Sequence, residues 1–310
     1  MQFSATTSAN PDPHDEAVRS KIAEGDLAGA VAAAKDAVRA DASNADRREL
    51  LFNVLALVCD WPAAARQAET AGQLDPKRIG PCTAAATAVA CEQDRAAVWR
   101  GETTPTILGE PAQWVGKLVA AAKYLHGGEV AAAAELAAEA RGEAVEQSDD
   151  AALAGSVTVN APDGPRQARF VNWADSDDRL GPVWELFADG RYVWAPPGAI
   201  AEIRLAAPAS LRELIWQPAV VTWSAGGTSG ALLPVRYFGT ETAGDASLTT
   251  SKRTDYAQPH DNLYVGQGQR IWLSALDGET SEWPALQVRN IRFDLADALE
   301  TSGEEAAERE

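Results

Sequence analysis

The hydrophobic pattern changes period near residue 150. Before it, small apolar residues recur at helical spacing: Ala30, Ala34, Ala37 and Val38 in one segment, Ala64, Ala68 and Ala71 in another. Positions at i, i+4 and i+7 share one side of a helix, so these faces are predicted to be buried. Asp26 and Asp60 stand where a side-chain oxygen caps a helix start, and Pro62 occupies a first turn, where its missing N–H costs little. The pairs Asp26/Asp60, Ala30/Ala64, Ala34/Ala68, Ala37/Ala71 and Asp41/Asp75 are each 34 residues apart, the tetratricopeptide period. Further helices are predicted at about 82–98 and 112–124, with a loop near 101–111 between them. A third copy begins at Gly128-Glu129, one residue out of register.

Beyond residue 150 the pattern is that of strands and turns. Phe170-Val171-Asn172-Trp173 predicts a strand and Asp175–Arg179 a polar turn. Asp189-Gly190, between Phe187 and Tyr192-Val193-Trp194, is a hairpin signal. Ile200–Leu205 suits either strand or helix. Leu211–Trp216 reads as a short helix capped by Ser210 and ended before Pro218. Val220–Trp223 and Ala231–Tyr237 flank Gly226-Gly227 as a second hairpin, and Arg270–Leu273 and Leu286–Phe293 are two more strands.

Composition sharpens this division. Residues 1–150 hold 38 alanines and three of the ten Trp; residues 151–310 hold 25 and seven. Ala favours helices, whereas aromatic residues punctuated by Gly and Pro favour strands. The expected fold is α+β in two separately folding domains. A disordered N-terminus covers 1–14, TPR-like helical repeats 15–150, an antiparallel, strand-rich α+β domain 151–298, and an acidic tail 299–310. The polar run Glu146–Asp150 with Ala154-Gly155-Ser156 marks the junction.

The formal charge of -18, from 45 acidic and 27 basic side chains, excludes a general nucleic-acid binder and an anionic membrane surface as partners. No apolar run is long enough for a membrane span, and the N-terminus lacks an export signal, so a cytoplasmic protein is expected. Cys59, Cys82 and Cys91 are odd in number and without CxxC spacing, which fits reduced thiols.

Little in the chain carries catalytic chemistry. Asp175, Asp177 and Asp178 resemble the start of a calcium loop, but its sixth and twelfth positions hold Leu180 and Leu186 where Gly and Glu are required. Gly266-Gln267-Gly268 precedes a strand rather than opening a helix, so it predicts a tight turn or bulge, not a phosphate loop. Ser229 lacks a nucleophile-elbow context, and His126, before Gly127-Gly128, suits a helix C-terminus. No catalytic, cofactor or metal residues are expected. Arg179, Arg212, Arg236 and Arg270 lie in or beside apolar runs and are expected to pair with Asp175, Asp177, Glu185 and Glu213, unless they meet a partner's acidic group.

These same residues carry a resemblance. Trp173-x-Asp175-x-Asp177-x-Arg179-Leu180-Gly181-Pro182-x-x-Glu185 resembles the central signature of the ImpE/SciE/TagJ family, accessory proteins of the bacterial type VI secretion system. Gly190-x-Tyr192-x-Trp194-x-Pro196, Leu211-Arg212-Glu213-Leu214-x-Trp216-x-Pro218-Ala219, Leu233–Thr240 around Arg236, and Gly266-x-Gly268-Gln269-Arg270 follow in family order. Asp178, Trp184 and the 241–265 loop depart from the pattern.

The resemblance implies a non-catalytic adaptor without cofactor. It would bind the N-terminal helix of the small subunit of the contractile sheath, with an indirect link to the sheath-recycling AAA+ ATPase. The alternatives are an enzyme with its site in the Arg- and Asp-rich C-terminal domain, or a self-associating scaffold. A deep pocket lined by Asp177, Arg179 and Arg236 would favour the enzyme; a solid ion-paired core would favour the binding module. The net charge suggests a partner helix bearing Lys or Arg.

Overall fold

The computed structural model describes residues 13–109, 112–276 and 278–295. Most of the stretch expected to be a disordered N-terminus, and all of the expected acidic tail, lie outside them. Pro13 and His14 already belong to the first helix.

Seven helices fill the first half: α1 (Pro13–Glu24), α2 (Leu27–Ala40), α3 (Ala45–Leu57), α4 (Trp61–Leu74), α5 (Ile79–Trp99), α6 (Gln113–His126) and α7 (Val130–Gln147). The 34-residue correspondence is carried by the backbone. Asp26 caps α2 by accepting from the Gly29 N–H, and Asp60 caps α4 by accepting from Ala63. Before each cap the preceding helix ends on a left-handed residue, Gly25 (φ 81°) and Cys59 (φ 59°). The N–H of Asp26 then reaches back to the Lys21 carbonyl, and that of Asp60 to Leu55. Gly128 (φ 82°) and Glu129 repeat this termination between α6 and α7, with Glu129 bonded to the Tyr124 carbonyl. Ala30, Ala34, Ala37, Ala64, Ala68 and Ala71 are all buried, so the small side chains set close helix packing.

The predicted 101–111 loop contains a short strand, β1 (Thr106–Ile107), and α8 (Asp150–Leu153) follows α7. The strand-rich half contributes β2 (Gly155–Ala161), β3 (Gly164–Asp175), β4 (Trp184–Ala188), β5 (Arg191–Ala195), β6 (Ile200–Leu205), β7 (Trp216–Trp223) and β8 (Thr228–Pro234). After α9 (Ala246–Thr249) come β9 (Thr254–His260), β10 (Leu263–Gly268), β11 (Ile271–Leu276), β12 (Glu279–Pro284) and β13 (Val288–Phe293). The main sheet runs β1-β5-β4-β8-β7-β6-β13-β2-β3-β11-β12 and is antiparallel apart from the β1–β5 pair. Asp189 and Gly190, both at positive φ, close the β4–β5 hairpin as its two-residue turn requires. Leu211–Leu214 is a 3-10 turn. The 241–265 stretch is no plain loop, since it holds α9, β9 and the start of β10, and β9–β10 form a separate hairpin.

Trp173 of β3 and Trp184 of β4 stack with centroids 6.2 Å and planes 9° apart. Yet β8, β7, β6, β13 and β2 lie between their strands. The sheet therefore curls until its ends meet around an aromatic core of Phe170, Trp173, Trp184, Trp272, Trp283 and Phe293. β4 and β5 are buried on both faces: Leu186 and Val193 face this core, while Phe187, Tyr192 and Trp194 face the helices.

Helices and strands share that second core, which joins Trp99, Val98 and Ala88 of α5 to Trp194, Trp216 and Val235. Apolar surface of α5 is thus buried against the strand-rich half. Among the described residues no helix is long and apolar enough to cross a membrane.

Candidate functional site

The family signature converges on the buried seam between α5 and the curled sheet. On α5 the inward seam runs Ala85, Ala88, Glu92, Arg95, Trp99, alternating steps of three and four, so two charged residues lie on the face that packs inward. Opposite it, β4 presents Glu185, the end of β3 presents Asp175, and Arg270 sits just before β11. All five charged side chains are less than one-tenth exposed.

Glu185, fully buried, is the centre. Its Oε1 accepts from Arg95 Nε (2.8 Å), Trp99 Nε1 (3.2 Å) and the Tyr192 hydroxyl (2.5 Å). Its Oε2 accepts from Arg95 Nη2 (2.9 Å) and from Arg270 Nη2. Five donors occupy the lone-pair directions of one carboxylate. Burial opposes its ionisation, but Arg95 and Arg270 outweigh burial and hold its carboxyl down at about 2.

Arg270 also donates to Asp175 (2.5 Å), and Arg95 to Glu92 (3.3 Å) and to the Arg236 carbonyl (2.8 Å). Asp175 differs from Glu185: burial pushes it up to about 6 against the pull of Arg270, with Asp177 adding like charge. Glu92 continues the chain outward by accepting from Trp216 Nε1 (2.8 Å), and Trp216 stacks on Trp61 of α4.

The polar turn after β3 is also interior. Asp177 is fully buried and accepts from the Arg179 backbone N–H (2.9 Å), from Arg179 Nε (2.8 Å) and from the Gly266 N–H (2.9 Å). The Arg179 guanidinium lies 4.7 Å over the Trp99 ring. The Gly-rich segment serves this turn. A side chain at Gly266 would strike the Tyr237 ring at 2.4 Å, and Gly268 (φ 87°) would meet the Arg253 carbonyl at 2.2 Å. The tight turn or bulge expected here is corrected: Gly266–Gly268 is the close-packed end of β10, paired in register with β9.

The structure thus brings Asp175, Glu185 and Arg270 into one network, sets Asp177 and Arg179 beside it, and joins Trp216 through Glu92. Three expectations are corrected. Arg236 pairs with no carboxylate among the described residues. Its Nη1 caps the end of α3 at the Leu57 carbonyl and binds the Thr249 carbonyl, both at 2.7 Å. Arg212 lies apart, bonded to Glu49 of α3 (3.0 Å) and over the Phe52 ring. Glu213 accepts from the Ser210 and Ala209 N–H groups, so it caps the 3-10 turn instead of pairing with an Arg. Trp173 belongs to the aromatic core.

Sequence reasoning missed Glu92, Arg95, Trp99 and Tyr192. The signal for the first three was their place on the seam of an otherwise apolar helical stripe. A cavity of about 710 Å³ lies elsewhere, beside α1.

Residues 167–292 match the family model described as ImpE protein. Over 278 residues the chain is 35% identical to the type VI secretion system accessory component TagJ of Pseudomonas aeruginosa, covering 88% of this chain and 90% of that one. The chain belongs to the ImpE/TagJ family. An X-ray structure of a Vibrio parahaemolyticus protein superposes with a TM-score of 0.75 at 24% identity, over 89% of this chain and 97% of that one, so the fold is shared along nearly the whole length. The ImpE match spans β3 to β13 and contains Asp175, Asp177, Arg179, Glu185, Arg236 and Arg270. Within this ImpE/TagJ chain Glu185 is bonded to Arg95 of α5 and, through Arg270, linked to Asp175 at the end of β3, while Asp177 and Arg179 pair beside them.

Proposed function

We propose that this protein is a non-catalytic accessory component of a bacterial type VI secretion system. It acts in the cytoplasm as an adaptor for the N-terminal helix of the contractile sheath's small subunit. The kinship with TagJ supports the accessory role. The observation that carries the non-catalytic part is the saturation of Glu185: five protein donors leave it no lone pair for a substrate proton. Its neighbours are likewise bonded to one another in a solid core. The helical half, read as TPR-like, supplies the kind of surface on which helices dock. Calorimetric titration of a synthetic peptide of the sheath small subunit's N-terminal helix into the full-length protein tests this. Saturable binding is expected, and no binding at high micromolar peptide would overturn it.

A further inference from the structure

A cavity of about 710 Å³ is an open groove between α1, the 3-10 turn at Leu211–Leu214 and the Thr250–Lys252 segment. Ile22, Ala23, Leu211 and Leu214 make its walls apolar. Three of its polar lining residues, Thr250, Ser251 and Gln269, are already used within the fold. Ser251 Oγ donates to the Leu214 carbonyl (2.7 Å) and Thr250 Oγ1 to the Ala246 carbonyl (2.7 Å). Gln269 donates to the Ser251 carbonyl (2.8 Å) and accepts from the Leu286 N–H (3.1 Å). A small polar ligand is oriented by converging polar groups, and these are committed elsewhere. An apolar trough without such groups matches the apolar stripe of a helix instead.

Charge identifies the flanks of that helix. In a chain of net charge -18, the described residues lining this groove include the exposed cation Lys252 and no carboxylate. By contrast, a neighbouring cleft at the start of α2 is lined by Asp26, Glu241 and Asp245. The local sign is therefore opposite to the net charge, and opposite to what the net charge suggests for a partner.

We propose that the α1 groove receives an amphipathic helix whose apolar face is flanked by acidic side chains. This rests on the protein-binding reading above and gives it a location and a charge. The probes are the N-terminal peptide of the sheath small subunit and the same peptide with its Asp and Glu changed to Asn and Gln. Each is titrated into the full-length protein and its Ala23→Trp and Lys252→Glu variants. Ala23 is exposed on α1, so the Trp variant fills the groove without entering the core. Ala23→Trp is expected to weaken binding at least about tenfold, the scale of a lost anchor, at unchanged Tm. Lys252→Glu is expected to weaken it about two- to fivefold at low salt, with the effect lost in high salt and with the amidated peptide. If the peptide binds both variants as it binds the wild type, the groove is wrong while the accessory reading stands. If Lys252→Glu strengthens binding, the charge assignment is wrong, a result that holds even should Ala23→Trp fail to fold. If the wild type does not bind, both readings fall.

Discussion

Arg95→Met removes the cation that α5 inserts into the sheet. The side chain is 4% exposed and gives two bonds to fully buried Glu185, one to Glu92 and one to the Arg236 carbonyl. Methionine fills much of the stem's volume, so the change is chiefly electrostatic. Glu185 keeps Arg270 and Glu92 keeps the Trp216 indole, but both carboxylates lose a charge partner while buried from solvent. Breaking a buried pair from one side costs about 3–5 kcal/mol. For a chain of this size that lowers Tm by roughly 10 °C. Urea unfolding followed by far-UV circular dichroism and by Trp fluorescence measures it, and the two signals should coincide because both halves share a core. Pairing Arg95→Met with Glu185→Leu should cost less than the sum of the single changes by at least about 1 kcal/mol, since the double variant buries neither charge. An Arg95→Met protein within about 1 kcal/mol of wild type would refute the reasoning.

Acid titration should separate the two central carboxylates. Glu185 is depressed to about 2, so its contribution is present above the ordinary range near 4.5 and is lost as pH falls towards 2; Glu185→Gln should flatten that part of the stability curve. Asp175 is raised to about 6, so its sign is opposite: it favours folding below pH about 4, and that advantage disappears as pH rises through 6. Stability of Asp175→Asn relative to wild type should therefore improve from pH 4 to pH 7 in denaturant titrations. Trp216→Phe keeps the aromatic stack but removes the donor to Glu92, and should cost about 1–3 kcal/mol in urea unfolding. Gly266→Ala drives a methyl into the Tyr237 ring and should lower stability by about 1–3 kcal/mol, with a smaller loss in the Tyr237→Leu background.

The repeat was legible because each unit marks its own turn. A left-handed residue, a capping acid and a stripe of alanines are all local features, and Asp26 and Asp60 display them 34 residues apart. The hairpins at Asp189-Gly190 and Gly226-Gly227 were legible for the same reason. β2 alternates Val157 and Val159 with Ser156 and Thr158 and was within reach. β9 was not, since Thr254–His260 is mostly exposed and carries no apolar alternation. Arg270, Asp175 and Glu185 were readable as a buried arginine and acids seeking partners, but their pairing was not, and Glu92 and Arg95 were not read as part of it. Arg95 and Glu185 stand 90 positions apart, on a helix and a strand whose contact depends on how the sheet curls. Arg236 shows the other limit: a buried guanidinium satisfied by the carbonyls that end α3 and α9 is indistinguishable in sequence from one that needs a carboxylate.

Hydrogen–deuterium exchange of the full-length protein, with and without the sheath small subunit, most directly tests the claim that the buried charges of the family signature lock the fold while the surface binds. The account predicts new protection on α1 and in the Leu211–Leu214 and Thr250–Lys252 segments. The amides around Asp177, Arg179 and Glu185 should be slow in the free protein and unchanged by the subunit. Fast exchange around Asp177 and Arg179 in the free protein, slowed by the sheath subunit while α1 stays unaltered, would contradict it.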